Sequence, residues 1–547
     1  MTALTGNCLA LGLTIIALMS YPASLHAALS DELREILIQS IGGPSVLDSL
    51  KELTGYVARG TASVNGMEGT FVQYYRPPDQ VYQKVSLHDL ELVQAYDGNV
   101  AWKQDFNGQI SKLAGQERRE LLKTLYMDSH AYLFDDRMPG GAELLSDTTI
   151  NGTVLRRVAF YPLLSDTVVA LYNNQTYRRR IVISRLDDVR TITFEDDYRL
   201  VGGIMFPFHT RAEATGAPMD AELRLKSLEL NLPFDSSIFY MPTSTVVDYE
   251  FPAGKNSVCI PFAYRGGHVL VNGVINGKMR VWFILDSGAS ANILHSPTAD
   301  ALGLKSVGQF AGKGIGGFDK LQLVSTDSIA IGELVLYDQI AGKIDMSRFD
   351  YGGPADRLFA GLLGYDFLSR FPIRIDYDNE LLTVFDPNTF SAPPGGMAID
   401  FSLTMQVPTV LASIEGIVGD FIVDLGNPYG LLIHKEYYTS AGLDSLLLDI
   451  GPLEQSAGGI GGGYQSRKAT ANNVYIGSYR LGSLSALLTE STAGVAASTE
   501  LAGNIGNAVL QRFGALFDYR GSRLILYPTD TIQEQIVDSA TGAYNRK

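Results

Sequence analysis

The chain has 547 residues, room for about three domains, and its 46% hydrophobic and 19% charged content is that of a globular protein rather than a disordered one. A formal charge of −16, with 43 Lys and Arg that form no long cluster, argues against a nucleic-acid partner, which needs a positive footprint. The acidic balance serves solubility.

The first 27 residues hold no Lys, Arg, Asp or Glu, and CLALGLTIIALMS (8–20) is an apolar core followed by small residues through Ala27 and Ala28. This is the pattern of a secretory signal peptide over 1–27, too short for a comfortable transmembrane helix. No basic residue marks its start, and an uncleaved anchor is the minority reading. Nothing later in the chain is long and apolar enough to span a bilayer. Of the two cysteines, Cys8 lies in this segment, so the mature chain keeps only Cys259 and has no internal disulfide. Export without disulfides places the protein in a bacterial envelope, periplasmic or extracellular.

Residues 29–245 open with a helical stretch over 29–51 and then alternate in apolar and polar residues: LTGYVARGTASV (53–64), TFVQYYRP (70–77), RRRIVISRL (178–186) and RTITFEDDYRLVGGIMFPFHTRAEA (190–214). Period-2 alternation with Gly or Asn between runs predicts antiparallel strands with one buried face. YDGNVAWKQDFNG (96–108) and FEDDYRLVGGIMFPF (194–208) resemble strand-turn-strand pieces of the periplasmic lipoprotein-carrier fold, a curved half-barrel sheet covered by helices. An accessory α+β domain is expected here. MPTSTVVDYEFPAGKNS (241–257) has no periodicity, and 246–257 is expected to be a linker.

The remainder repeats itself. FILDSG (283–288) returns 138 residues on as FIVDLG (421–426), and GLLGYDFLSRFPIRIDYDNELLTVF (361–385) returns 142 residues on as GNIGNAVLQRFGALFDYRGSRLILY (503–527). Between these blocks lie GKGIGGF (312–318) and AGGIGGGY (457–464). Internal duplication of a β-rich unit is the natural reading, with lobes over 258–395 and 396–530 and a tail over 531–547.

One carboxylate per copy suggests a paired site. Asp286 and Asp424, brought together, would share one proton because like charges that close cannot both ionise. The ionised member then takes a proton from water while the other donates to a peptide carbonyl, with no metal or cofactor required. Gly288 and Gly426 allow a tight backbone turn and N–H donation beside the acids, and Ser287 can brace the two loops.

ILDSGAS resembles the signature of retropepsin-like aspartic proteases, and GLLGYDFL resembles that family's apolar-apolar-Gly segment with its following helix. The resemblance covers roughly 260–530. It implies a mainly β fold of two retropepsin-like barrel lobes in tandem and peptide-bond hydrolysis by Asp286 and Asp424. Ser287, Gly288, Ala289, Ser290, Gly426 and Asn427 form the supporting loops. Gly314, Ile315, Gly316 and Gly317, with Gly459, Ile460 and Gly461, are the flap candidates, and Tyr464 could reach over a substrate from the second flap. The second copy departs from the pattern: Leu425 stands where the family has a hydroxyl, Pro428 lacks a donor, and Asn427 is the available substitute.

Gly312, Gly314 and Gly317 match G-x-G-x-x-G, but the residues that follow alternate like strands rather than opening a helix. No zinc motif and no G-x-S-x-G elbow occurs, so Ser290 carries little weight as a nucleophile. His295 and His434 read as packing residues. The expected protein is an exported endopeptidase acting on peptide or protein substrates, a monomer with a homodimer pairing two copies of Asp286 as fallback. The alternative is a non-catalytic peptide- or lipoprotein-binding protein on a degenerate protease scaffold.

Overall fold

The computed structural model describes residues 29–528 apart from 164, 187–188, 218–219, 244–246, 348–356 and 457. The signal segment 1–27 with Cys8, and the tail 531–547, lie outside the described residues. What is described is mainly β, in three sheets. No helix among the described residues is long and apolar enough to cross a membrane.

Thirteen strands between Tyr56 and Leu230 form one antiparallel meander, in which the first, Tyr56–Val64, pairs with both Met67–Arg76 and the last, Asp220–Leu230. The period-2 pattern produces the expected one-sided burial, as in Met67–Arg76, where Phe71 and Tyr75 are buried and Glu68 and Arg76 are exposed. The helical opening is two helices, Asp31–Ser40 and Val46–Glu52, parted at Gly42 and Gly43, whose positive φ values a helix does not admit. Leu33, Ile36 and Leu37, at helical spacing, pack with Tyr75, Tyr126 and Phe160 on one face of the sheet. The stretch 190–214 becomes two strands, Val189–Val201 and Ile204–Thr215, turning at Gly202 and Gly203.

The same strand pairing occurs twice in the C-terminal half. Met279–Leu285 runs parallel to Leu358–Leu363, which pairs antiparallel with Ile293–His295. Ile417–Asp424 runs parallel to Gly503–Gly506, which pairs antiparallel with Leu431–Ile433. Ile373–Asp376 and Phe513–Asp518 pair with each other, so one sheet carries strands of both repeats. A single core joins them: Phe283, Leu285, Leu363 and Phe371 from the first, Val423, Leu425, Ile505 and Phe513 from the second.

The expected linker is partly ordered into this half. Tyr249–Glu250 adds a short strand beside Leu334–Ile344, and Asp248 takes the guanidinium of Arg370, which is 1% exposed. Two residues of strand are too few to leave a periodic signal.

The N-terminal sheet is fixed to the first repeat by the loop over 105–109. Asn107 donates from Nδ2 to the Ile340 carbonyl (2.9 Å) and to Asp366 (3.0 Å), and accepts from the Ile340 N–H (2.8 Å). Phe106 stacks edge-on against Phe310 with ring centroids 4.9 Å apart. Asp105 accepts from the Asn107 and Gln109 N–H groups, each 2.9 Å, and from Gln406 at 3.0 Å. Desolvation, then the charge of Asp366, pushes the Asp105 carboxyl up to about 7, with the backbone donors and Arg370 opposing. A carboxyl whose folded-state value is raised loses its stabilising contribution as pH climbs from the unfolded value, ~3.9, towards the folded one. Unfolding measured at fixed pH is therefore expected to show stability falling between about pH 4 and 7, on the order of a few kcal/mol. Asp105→Asn should remove part of that fall, and identical slopes in both proteins would contradict the burial of this charge.

Candidate active site

Each acidic loop leaves the end of a strand whose last residues are paired with a second, parallel strand that ends at the same level. The Asp286 N–H donates to the Leu363 carbonyl at 2.9 Å, and the Tyr365 N–H donates to the Ala289 carbonyl at 2.9 Å. In the second repeat the Asn507 N–H donates to the Asn427 carbonyl at 2.8 Å, in the corresponding place. Gly364 and Gly506 lie behind the loops at such close quarters that a Cβ on either would sit 2.3 Å from a loop carbonyl oxygen, Ala291 in one case and Tyr429 in the other. That explains the glycine that both copies carry there.

The two loops meet face to face. The Gly288 N–H donates to Asp286 Oδ1 at 2.8 Å and the Gly426 N–H to Asp424 Oδ1 at 2.7 Å. A Cβ on Gly288 would lie 2.4 Å from Asp424 Oδ1, and one on Gly426 would lie 2.4 Å from Asp286 Oδ1. Each glycine thus makes room for the other loop's acid, which brings the two carboxyls close together. Burial, followed by the charge and hydrogen bond of Asp424, holds the Asp286 carboxyl well above the usual carboxylate range, against the pull of the Gly288 and Gly426 N–H groups.

Ser287, fully buried, ties the loops together. Its hydroxyl donates to the Val423 carbonyl (2.7 Å) and accepts from the Leu425 N–H (3.0 Å). Leu425 makes no such bond from its own side chain; it packs into the shared core instead. Asparagines occupy the polar positions around it. Asn507 Nδ2 donates to the Leu425 and Gly267 carbonyls, and its Oδ1 accepts from the Tyr377 hydroxyl at 2.7 Å. Asn427 donates its N–H to Asp424 Oδ1 at 3.2 Å and its side-chain amide to Asn504 Oδ1 at 2.9 Å. Asn504 in turn donates to Asp424 Oδ2. Sequence reasoning missed Asn504 and Asn507, although the repeat held the signal: Asn504 stands where the first copy has Leu362, a polar residue in a fully buried strand.

The glycine-rich segments come together as well. Gly314 ends the strand Ser306–Gly314 and Gly317 begins Gly317–Ile331, with Ile315 and Gly316 at the hairpin tip; all three glycines of the G-x-G-x-x-G match lie on this antiparallel hairpin. Across from it, Gly459 and Gly462 bridge a turn over Ile460 and Gly461. The tips touch: the Gly316 N–H reaches the Ile460 carbonyl at 3.5 Å, and the Ala496 N–H reaches the Ile315 carbonyl at 3.3 Å. Tyr464 is buried close enough to Asp424 that burial, then Tyr429 and that acid, push its phenol up to about 12. Ser290 is exposed and lines a cavity of about 870 Å³ together with Gly288, Asp424 and Asn504. His295 packs against Phe359 and His434 donates from Nδ1 to the Leu501 carbonyl (2.9 Å), and both are buried. Among the described residues, no group of three or more His, Cys, Asp or Glu is placed to hold a metal ion.

Residues 271–367 match the aspartyl protease family model, a span that includes Asp286 and the first glycine-rich hairpin. No curated protein matches the chain. Among solved structures it is similar to the aspartic proteinase of Irpex lacteus (13% identity, TM-score 0.34, 52% of this chain and 100% of that one). It is also similar to a DUF1329 family protein of Desulfovibrio piger (12% identity, TM-score 0.28, 38% of this chain and 96% of that one). A third likeness is to a domain assigned to outer membrane lipoprotein sorting in Vibrio parahaemolyticus (11% identity, TM-score 0.27, 36% of this chain and 94% of that one).

Removing the Ser287 hydroxyl leaves a buried N–H and a buried C=O without their partner. Ser287→Ala is therefore expected to lower stability by about 1–3 kcal/mol, read as a fall in unfolding midpoint. An unchanged midpoint would show that the loops are joined by something else.

Proposed function

We propose that this chain, whose residues 271–367 are an aspartyl protease domain, is an endopeptidase in which Asp286 and Asp424 together activate water. In this reading the C-terminal half is a duplicated pair of retropepsin-like lobes, and the tip-to-tip glycine segments are flaps that part to admit substrate. The observation that carries the proposal is the reciprocal packing of the two acidic loops, each glycine beneath the opposing carboxyl.

The division of labour follows from the environment of the pair. The shared proton rests on Asp286, whose ionisation burial and Asp424 both oppose. Asp424 accepts from Gly426, Asn427 and Asn504, which leaves it the acceptor for a proton of the bound water. Water oxygen bonds to the peptide carbonyl carbon as Asp424 takes its proton and Asp286 protonates the carbonyl oxygen. Collapse of the tetrahedral intermediate, with the Asp424 proton delivered to the amide nitrogen and a diol hydroxyl proton returned to Asp286, breaks the C–N bond and restores the pair. Leu425 offers no hydroxyl to bridge back to the first loop, but Asn427 and Asn504 bond Asp424 directly and hold its carboxyl in place, which supports activity despite Leu425. Export to a bacterial envelope, from the composition of residues 1–27, belongs to the same proposal and is tested by cell fractionation.

Asp286→Asn and Asp424→Asn are each expected to reduce hydrolysis of a peptide library by about 10²–10⁴-fold or more. Unchanged turnover would favour the non-catalytic binding protein. Asn504→Ala withdraws a donor from Asp424 Oδ2 and is expected to lower kcat/KM for a peptide by about tenfold or more, while an unchanged value would remove Asn504 from the site.

A further inference from the structure

The cavity that holds Asp424 does not end within the protease half. It runs on to the N-terminal sheet, whose residues form one of its walls. On that wall Phe71, Val85 and Leu92 lie side by side on three adjacent strands, since Phe71 is paired with Val85 and Val85 with Leu92. Phe310, Leu321 and Ile293 of the first repeat face into the same space, and Gly288 and Asp424 close one end. Beyond the apolar row runs a ladder of amides: Gln94 donates to Gln83 (2.6 Å), Gln83 to Gln73 (3.1 Å), and Gln73 to the Tyr56 hydroxyl (2.7 Å). Lys103, at the edge of the ladder, is paired with Glu117 at 2.5 Å. The wall is thus apolar and amide in character, with its cation neutralised.

We infer that this shared cavity binds an apolar stretch of the peptide substrate on one side of the scissile bond, making the N-terminal sheet a specificity-determining part of the enzyme. The inference rests on the protease reading above. Continuity with Asp424 identifies the occupant as the substrate chain itself, and the volume, about 870 Å³, falls in the range of binding pockets that enclose a ligand. A charged side chain placed against Phe71, Val85 and Leu92 exchanges its hydration for apolar neighbours, so this row of the wall selects against it.

The wall is also held in register with the chemistry. Asn107 of the N-terminal loop bonds Asp366, Asp366 accepts the Asn292 N–H at 2.6 Å, and Asn292 Oδ1 accepts the N–H of Gly364 at 2.9 Å, directly behind the Asp286 loop. Met67, Leu87 and Leu90 of the sheet form a common apolar cluster with Leu323 of the first repeat. A wall anchored this way can set the register of a peptide relative to the acids, as a mobile neighbour could not.

The test uses the full chain and peptides that share one scissile pair but carry Leu or Lys at successive flanking positions. The wild type is expected to prefer Leu over Lys by about tenfold or more in kcat/KM at positions on one side of the bond only. Leu92→Asp and Val85→Asp, each checked for folding by circular dichroism, should collapse that ratio or turn it towards Lys. In the Asp286→Asn background, anisotropy with the Leu-flanked peptide should show weakened binding on adding either substitution. A ratio and an affinity that survive in both folded variants overturn the inference, as does a general rise in activity, which would make the sheet an obstruction. Absence of any Asp286-dependent hydrolysis overturns the protease reading instead, and the binding arm still decides whether the cavity takes peptide.

Discussion

Two carboxyls pressed together in a largely apolar setting hold one proton comfortably and two charges at great cost. Much of the C-terminal half can be understood as the framework that imposes this closeness. Parallel strands deliver Asp286 and Asp424 to the same point, glycines at 288 and 426 remove the side chain that would keep them apart, and Ser287 binds the loops into one unit. The core beneath is shared by both repeats, so neither loop can relax away from the other without disturbing it.

The two halves of the site solve the same problem with different chemistry. In the first, a hydroxyl spans to the neighbouring backbone. In the second, Leu425 gives up that bond for apolar packing, and a chain of asparagines, 427 to 504 and on to Asp424, supplies polar support locally. This asymmetry gives the acids unequal surroundings, in keeping with the unequal parts proposed for them.

How much of this could be read from sequence depended on the range of the interactions. Asp286 and Asp424 stand out in the sequence because the neighbourhood of one returns around the other. The alternating stretches after residue 53 became strands since one-sided burial leaves a period-2 trace. What escaped were partners fixed only by tertiary contact. Asn504 departs from its counterpart Leu362 inside a repeat, a signal that gains meaning only beside Asp424; Asp105 and Asn107 bond their own turn while also gripping Ile340, Asp366 and Gln406 some 230 to 300 positions away. Asp248 sat in a segment too short to carry any pattern, yet it neutralises the buried Arg370.

If the acids work as one unit, their protons should behave as one unit. Carbon-13 NMR of the Asp286 and Asp424 side-chain carboxyls, assigned by single Asp→Asn substitutions and followed across pH in the full chain, reads this directly. Two well-separated ionisations are expected, with a proton retained on the Asp286 side far above the ordinary carboxylate value of ~3.9. Two independent titrations, both near that ordinary value, would contradict this.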